Sequence, residues 1–80
     1  MKKPIYTKES DLLCKWLTDG RQETNLTQRE LGNLLQVHHS IVGKIETGER
    51  QIGAIELVQY CKVLKADILE IIELLKDCQY

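Results

Sequence analysis

The stretch TQRELGNLLQVHHSIVGKIET, residues 27–47, contains two short helical periodicities separated by a break. It opens on Thr27-Gln28-Arg29-Glu30, a threonine followed three residues later by a glutamate. This is the spacing of a capping box, in which hydroxyl and carboxylate satisfy two free amides at a helix start reciprocally. Leu31, Leu34 and Leu35 then recur at helical intervals. The period fails at Gln36-Val37-His38, which reads as a tight turn. It resumes from about His39 to Thr47, with Ile41, Val42 and Ile45 pointing inward. Gly48 follows, a natural left-handed helix terminator.

Helices of about eight or nine residues are too short to persist alone. A pair of them joined by a three-residue turn makes sense when packed on other helices and used to present one member. The helix-turn-helix does this, placing its second helix in the major groove of DNA. The fine pattern agrees. With Gln28 as the first position, the fifth must be small, because the helices cross there, and it is Gly32. The tenth, fifteenth and eighteenth must be apolar, and they are Val37, Val42 and Ile45.

The longer segment LTQRELGNLLQVHHSIVGKIETGER, Leu26 to Arg50, resembles the phage-repressor or Cro-like helix-turn-helix domains, the XRE-type regulators. Their pattern is L-T-Q-x-E-L-A-x-x-L-G-V-x-x-S-x-I-S-x-I-E-x-G-x-R. The resemblance continues through IELVQYCKVL into DILEII and covers roughly residues 10–75. The string as a whole is highly specific. The chain departs from it in three places. Gly32 stands where the family usually has alanine, which reads as conservative. Gln36 stands where it usually has glycine, at a turn position that tends to need positive φ, at some cost to glutamine. Ile52 stands where proline is frequent.

The resemblance implies an all-α, compact five-helix bundle of the lambda-repressor-like DNA-binding type. It places His39, Ser40 and Lys44 at base-reading positions, with Gly43 between them on the same face. Gln28 resembles the glutamine that holds a DNA phosphate and braces the recognition helix. Thr27 and Thr47 resemble flanking phosphate contacts, and His38 and Arg50 join them in the expected phosphate-contacting set. Arg21 and Glu46 resemble a partly buried pair that fixes helix one against the recognition helix. We read the pair as structural, with a phosphate contact by Arg21 as the lesser alternative. Helical geometry agrees independently, because residues 39, 40, 43 and 44 share one face while 41, 42 and 45 turn away from it. Lys44 can donate to guanine O6 and N7, His39 can donate to an acceptor or meet a phosphate, and Ser40 can serve either role. Gly43 would let the backbone approach a thymine methyl.

Outward from this segment, helix one is expected over about Glu9 to Gln22, capped by Thr7 or Ser10, with Leu12, Leu13, Trp16 and Leu17 as its inward stripe. Ile5 or Tyr6 can fold back as a hydrophobic staple. Helix four spans about Ala54 to Leu64, with Ile55, Leu57, Val58, Cys61 and Leu64 apolar. Asp67 is a good N-cap for helix five, Ile68 to about Lys76. No segment alternates as a strand would. The expected organisation is an arm at residues 1–8, a single domain at 9–77 with its helix-turn-helix core at 27–47, and a tail at 78–80.

Eighty residues make about one small domain, and 42% apolar with 29% charged residues is an ordinary globular balance. No apolar run approaches the ~20 residues of a membrane span, and the start MKKPIYTKESD has no secretory apolar region, so the expected location is cytoplasmic. Cys14, Cys61 and Cys78 are odd in number and form no CxxC, which implies neither a disulfide framework nor a zinc site. The adjacent His38 and His39 have no third ligand at helical spacing, so no metal or cofactor is expected. A Cys–His catalytic pair would lack an oxyanion loop and an orienting acid, so no catalytic residue is expected. The net charge is −1, with a weak polarity of +1 over residues 1–50 and −2 over 51–80. That permits DNA binding at the N-terminal end without demonstrating it.

On a helical wheel Ile68, Leu69, Ile71, Ile72, Leu74 and Leu75 cover about 220° of arc. A core-facing stripe needs only a little over ~100°. The excess, around Leu69, Leu74 and Ile72, with Tyr80 or Tyr60, is expected to face a second copy; packing against Ile5 and Tyr6 is the alternative. The expected function is homodimeric binding to a near-palindromic duplex operator, with half-sites about one turn apart, regulating transcription as a repressor. The rival expectation is a protein-interaction module of the same fold, antitoxin or antirepressor in type, whose main ligand is a partner protein.

Overall fold

The computed structural model describes residues 7–78, all of whose regular structure is helical: α1 (Lys8–Glu23), α2 (Gln28–Leu35), α3 (His39–Thr47), α4 (Ala54–Leu64) and α5 (Ile68–Asp77). The staple expected of Ile5 or Tyr6, most of the arm, and Tyr80 lie outside the described residues. None of the described helices is long and apolar enough to cross a membrane.

Local chemistry accounts for each boundary. Thr7 opens α1, its hydroxyl accepting from the Ser10 amide at 3.0 Å. Thr27 opens α2 with both halves of the capping box in place, Glu30 N–H on the Thr27 hydroxyl at 3.0 Å and Thr27 N–H on the Glu30 carboxylate at 2.9 Å. Gln36 ends α2 in the left-handed region at φ 62°. Gly48 ends α3 at φ 84°. Asp67 caps α5 by accepting from the Leu69 amide at 2.9 Å.

These helices close on one core. Leu17 of α1, Leu31 of α2, Val42 and Ile45 of α3, and Tyr60 and Leu64 of α4 are buried together, with Leu13, Trp16, Leu35, Ile41 and Leu57 packed around them. α2 packs on α3, α1 on α3 and α5, and α4 on α2 and α5, so α3 lies between two supporting helices and keeps one side free. Ile71 of α5 is fully buried.

Two expectations need correction. Tyr60 does not face outward: it is 2% exposed and belongs to the core. It lies on the opposite side of α4 from Ile55, which is 75% exposed, and burial pushes its hydroxyl well above the ordinary tyrosine range. Gly32 is not interchangeable with alanine. A Cβ there would lie 2.9 Å from the Val37 carbonyl oxygen and 3.1 Å from the His39 Cα. Both are backbone atoms of the turn, and neither can swing aside.

Candidate nucleic-acid interface

The free side of α3 is mounted from beneath by a largely buried ion pair. Arg21 Nε donates to Glu46 Oε2 at 2.6 Å and Nη2 donates to Oε1 at 3.2 Å, with side chains only 12% and 5% exposed. The remaining guanidinium nitrogen, Nη1, donates to the Leu26 carbonyl at 2.8 Å, tying the α1–α2 connection to the same group. Gln28 Nε2 donates to Glu46 Oε1 at 3.0 Å. One carboxylate near the end of α3 thus collects donors from α1 and from the first residue of α2. A buried charge with this many hydrogen bonds is tolerated, whereas a lone one is not. The structure therefore shows Gln28 bracing α3, with one further amide hydrogen left over.

The opposite end of α3 is held by its N-cap, His38, whose ring Nδ1 accepts from the Ser40 amide at 3.1 Å. The Ser40 hydroxyl lies 2.9 Å from the same nitrogen. The His38 and His39 rings stack, with centroids 4.3 Å apart and planes 29° from parallel.

The four expected base readers lie together. Ser40 and Lys44 are exposed, and His39 and Gly43 are half-buried. Desolvation, followed by the nearby positive charge of Arg29, depresses the His39 pKa and favours a neutral ring that donates from one nitrogen and accepts at the other. Gly43 has a second reason to be small. A Cβ there would sit 3.3 Å from Gln28 Oε1, so the bracing glutamine crosses α3 at this residue.

The expected phosphate set divides. Thr27 accepts from the Glu30 amide, which leaves its hydroxyl hydrogen to donate elsewhere. Thr47 instead donates to the Lys44 carbonyl at 3.2 Å. Arg50 is engaged end-on with Glu56, Nη1 and Nη2 donating at 3.1 and 2.7 Å, and Glu56 also accepts from the Gly53 amide at 2.8 Å. The Arg50 bond is the main cause holding the Glu56 carboxyl below its usual range. Arg50 therefore anchors the α3–α4 loop, and only its remaining N–H groups are uncommitted.

Sequence reading missed Arg29. It is exposed in the first turn of α2, close enough to His39 to act on it electrostatically, and it makes none of the ion pairs seen among the described residues. A cation at a helix start opposes the macrodipole. That local cost was the signal available. Among the described residues no group of three or more His, Cys, Asp or Glu could hold a metal ion. The Cys14 thiol donates to the Ile45 carbonyl at 3.3 Å, and burial raises its pKa as it does that of Cys61.

The arrangement of a buried brace, a tight left-handed turn and an exposed polar helix is matched by a helix-turn-helix family model over residues 18–71. The chain belongs to the XRE-type helix-turn-helix family. Family and fold together make it a DNA-binding transcription regulator. Two solved structures of the clp gene regulator ClgR from Corynebacterium glutamicum share the fold. One superposes with a TM-score of 0.77 at 20% identity, covering 88% of this chain and 74% of that one. The other gives 0.76 at 20% identity, covering 88% and 91%. A comparison with curated protein sequences finds no significant match.

Proposed function

We propose that the chain binds a near-palindromic duplex operator as a homodimer and represses transcription by occupying it. The observation that carries this reading is the face of α3 formed by half-buried His39 with exposed Ser40 and Lys44, held by the part-buried Arg21–Glu46–Gln28 brace and flanked by Arg29, which makes no ion pair among the described residues. Lys44 would donate to guanine, while His39 and Ser40 would meet neighbouring base edges over the narrow Gly43 step. Phosphates would be held by Thr27, the spare Gln28 amide, the His38 ring, Arg29 and, less strongly, Thr47 and Arg50. The reading assigns no catalytic residue, metal or cofactor, and places the protein in the cytoplasm.

Dimerisation is supported by α5, where Leu69 is 65% exposed and Ile72 and Leu74 are each 40% exposed. Helix-turn-helix dimers read two half-sites about one turn of DNA apart, or a multiple of it. The test is selection of sites from a randomised duplex pool, followed by a salt titration against random competitor. A selected site held well above competitor, with affinity falling steeply as salt rises, is expected. Uniform weak binding that vanishes near physiological salt would refute the reading.

One observation favours a protein partner as well: Ile55 and Val58 put a second apolar strip on α4, at 75% and 41% exposure. Loss of operator binding in a His39→Ala/Lys44→Ala double variant supports the DNA reading. Loss of partner capture in a Leu69→Glu/Leu74→Glu variant with operator binding intact supports the other.

A further inference from the structure

We propose that His38 fixes Ser40 as a hydrogen-bond acceptor toward DNA, so that α3 selects a base carrying an exocyclic amine, adenine or cytosine, opposite Ser40. The proposal rests on the DNA-binding reading and deepens it to a preference at one base.

A backbone N–H can only donate. His38 Nδ1, which accepts from the Ser40 amide at 3.1 Å, therefore carries a lone pair and no proton. The proton of the neutral ring is then on Nε2. The same Nδ1 lies 2.9 Å from Ser40 Oγ. With no hydrogen on the nitrogen, a hydrogen bond between the two is donated by the hydroxyl, and the single ring lone pair is shared between amide and hydroxyl. Ser40 has one hydroxyl hydrogen, and it is committed to His38. What the exposed Oγ offers outward is lone pairs alone. In this orientation the His38 ring also stacks on His39.

An unconstrained serine reads donors and acceptors alike, because its hydroxyl rotates. A serine held in this way does not. In the major groove adenine N6 and cytosine N4 donate, while guanine O6, guanine N7 and thymine O4 accept. Ser40 then pairs with the first two and sets lone pairs against the others. His38 acts as a positioning residue, touching no base itself while determining what its neighbour reads.

The test uses the full 80-residue chain and duplexes selected from a randomised pool. Ser40→Ala identifies the base that Ser40 faces, as the position whose preference relaxes. With that base permuted through all four, the unsubstituted protein is expected to bind adenine or cytosine about fivefold more tightly than guanine or thymine, the effect of one neutral hydrogen bond. His38→Gly keeps a tolerated N-cap but frees the hydroxyl, and the ratio should fall below about twofold. His38→Asn, whose amide oxygen accepts at the same place, should restore it. Nitrogen-15 spectra of the free protein should show His38 protonated on Nε2 and bare on Nδ1. A flat or guanine/thymine preference at that base, an unchanged ratio in His38→Gly, or a protonated Nδ1 would each overturn the proposal. A selected site with a flat Ser40 position defeats this inference alone. Failure to select any site defeats the DNA reading and this inference with it.

Discussion

The corner where α2 meets α3 and the outer face of α5 follow opposite rules. In the corner a chain of polar groups finds internal partners. Glu46 collects Arg21 and Gln28, Arg21 also holds Leu26, His38 holds Ser40, and Thr47 turns back on Lys44. On α5 the apolar side chains of Leu69, Ile72 and Leu74 remain partly in water, Leu69 most of all. On the proposed function the difference separates reading from assembly. A surface that discriminates base edges must hold its donors and acceptors still before it meets DNA, and that rigidity is built within one chain. A surface that brings two chains together needs only apolar area, which is non-directional.

The most severe way to break this contrast is to remove the brace. Glu46→Ala leaves the Arg21 guanidinium buried without a carboxylate, and a loss of ~3–5 kcal/mol is expected by chemical denaturation. A loss below ~1 kcal/mol would show that the corner is no better held than the α5 surface. Gly32→Ala comes next. Its methyl group would press on the Val37 carbonyl, and ~1–3 kcal/mol of destabilisation is expected from the same measurement. Gln36→Gly acts in the other direction. Relieving a non-glycine residue at φ 62° should raise stability by ~0.5–1 kcal/mol, visible as a higher melting temperature. The smallest effect on folding belongs to α5. Leu69→Glu with Leu74→Glu should shift stability by no more than ~0.5 kcal/mol, while sedimentation changes from dimer to monomer. An unaltered sedimentation profile would remove α5 from the assembly.

Much of the corner was legible because it depends on local chemistry. The Thr27–Glu30 box, the left-handed residue at 36 and the terminator at 48 are all short-range patterns, and the structure has each of them. What escaped depends on relations with no fixed spacing. The Arg50–Glu56 pair spans a loop, six residues apart, at an interval no helix rule covers. His38 is a cap in a position where serine, threonine, aspartate and asparagine are the usual candidates. Tyr60 was misplaced because an aromatic ring with a hydroxyl suits a core and an edge equally well, and α4 carries apolar residues on several sides. The backbone crowding around Gly32 is invisible in a pattern that asks only for a small residue.

The crossing of Gln28 over Gly43 bears on any attempt to reprogram the regulator. On the proposed function positions 39, 40 and 44 are the letters to vary, since their side chains lie on the free side of α3. Position 43 does not. Any Cβ there presses on Gln28 Oε1 at 3.3 Å, and Gln28 in turn bears on Glu46 and Arg21. A library that varies all four positions would therefore mix two kinds of change, altered vocabulary at three sites and a displaced Gln28 at the fourth.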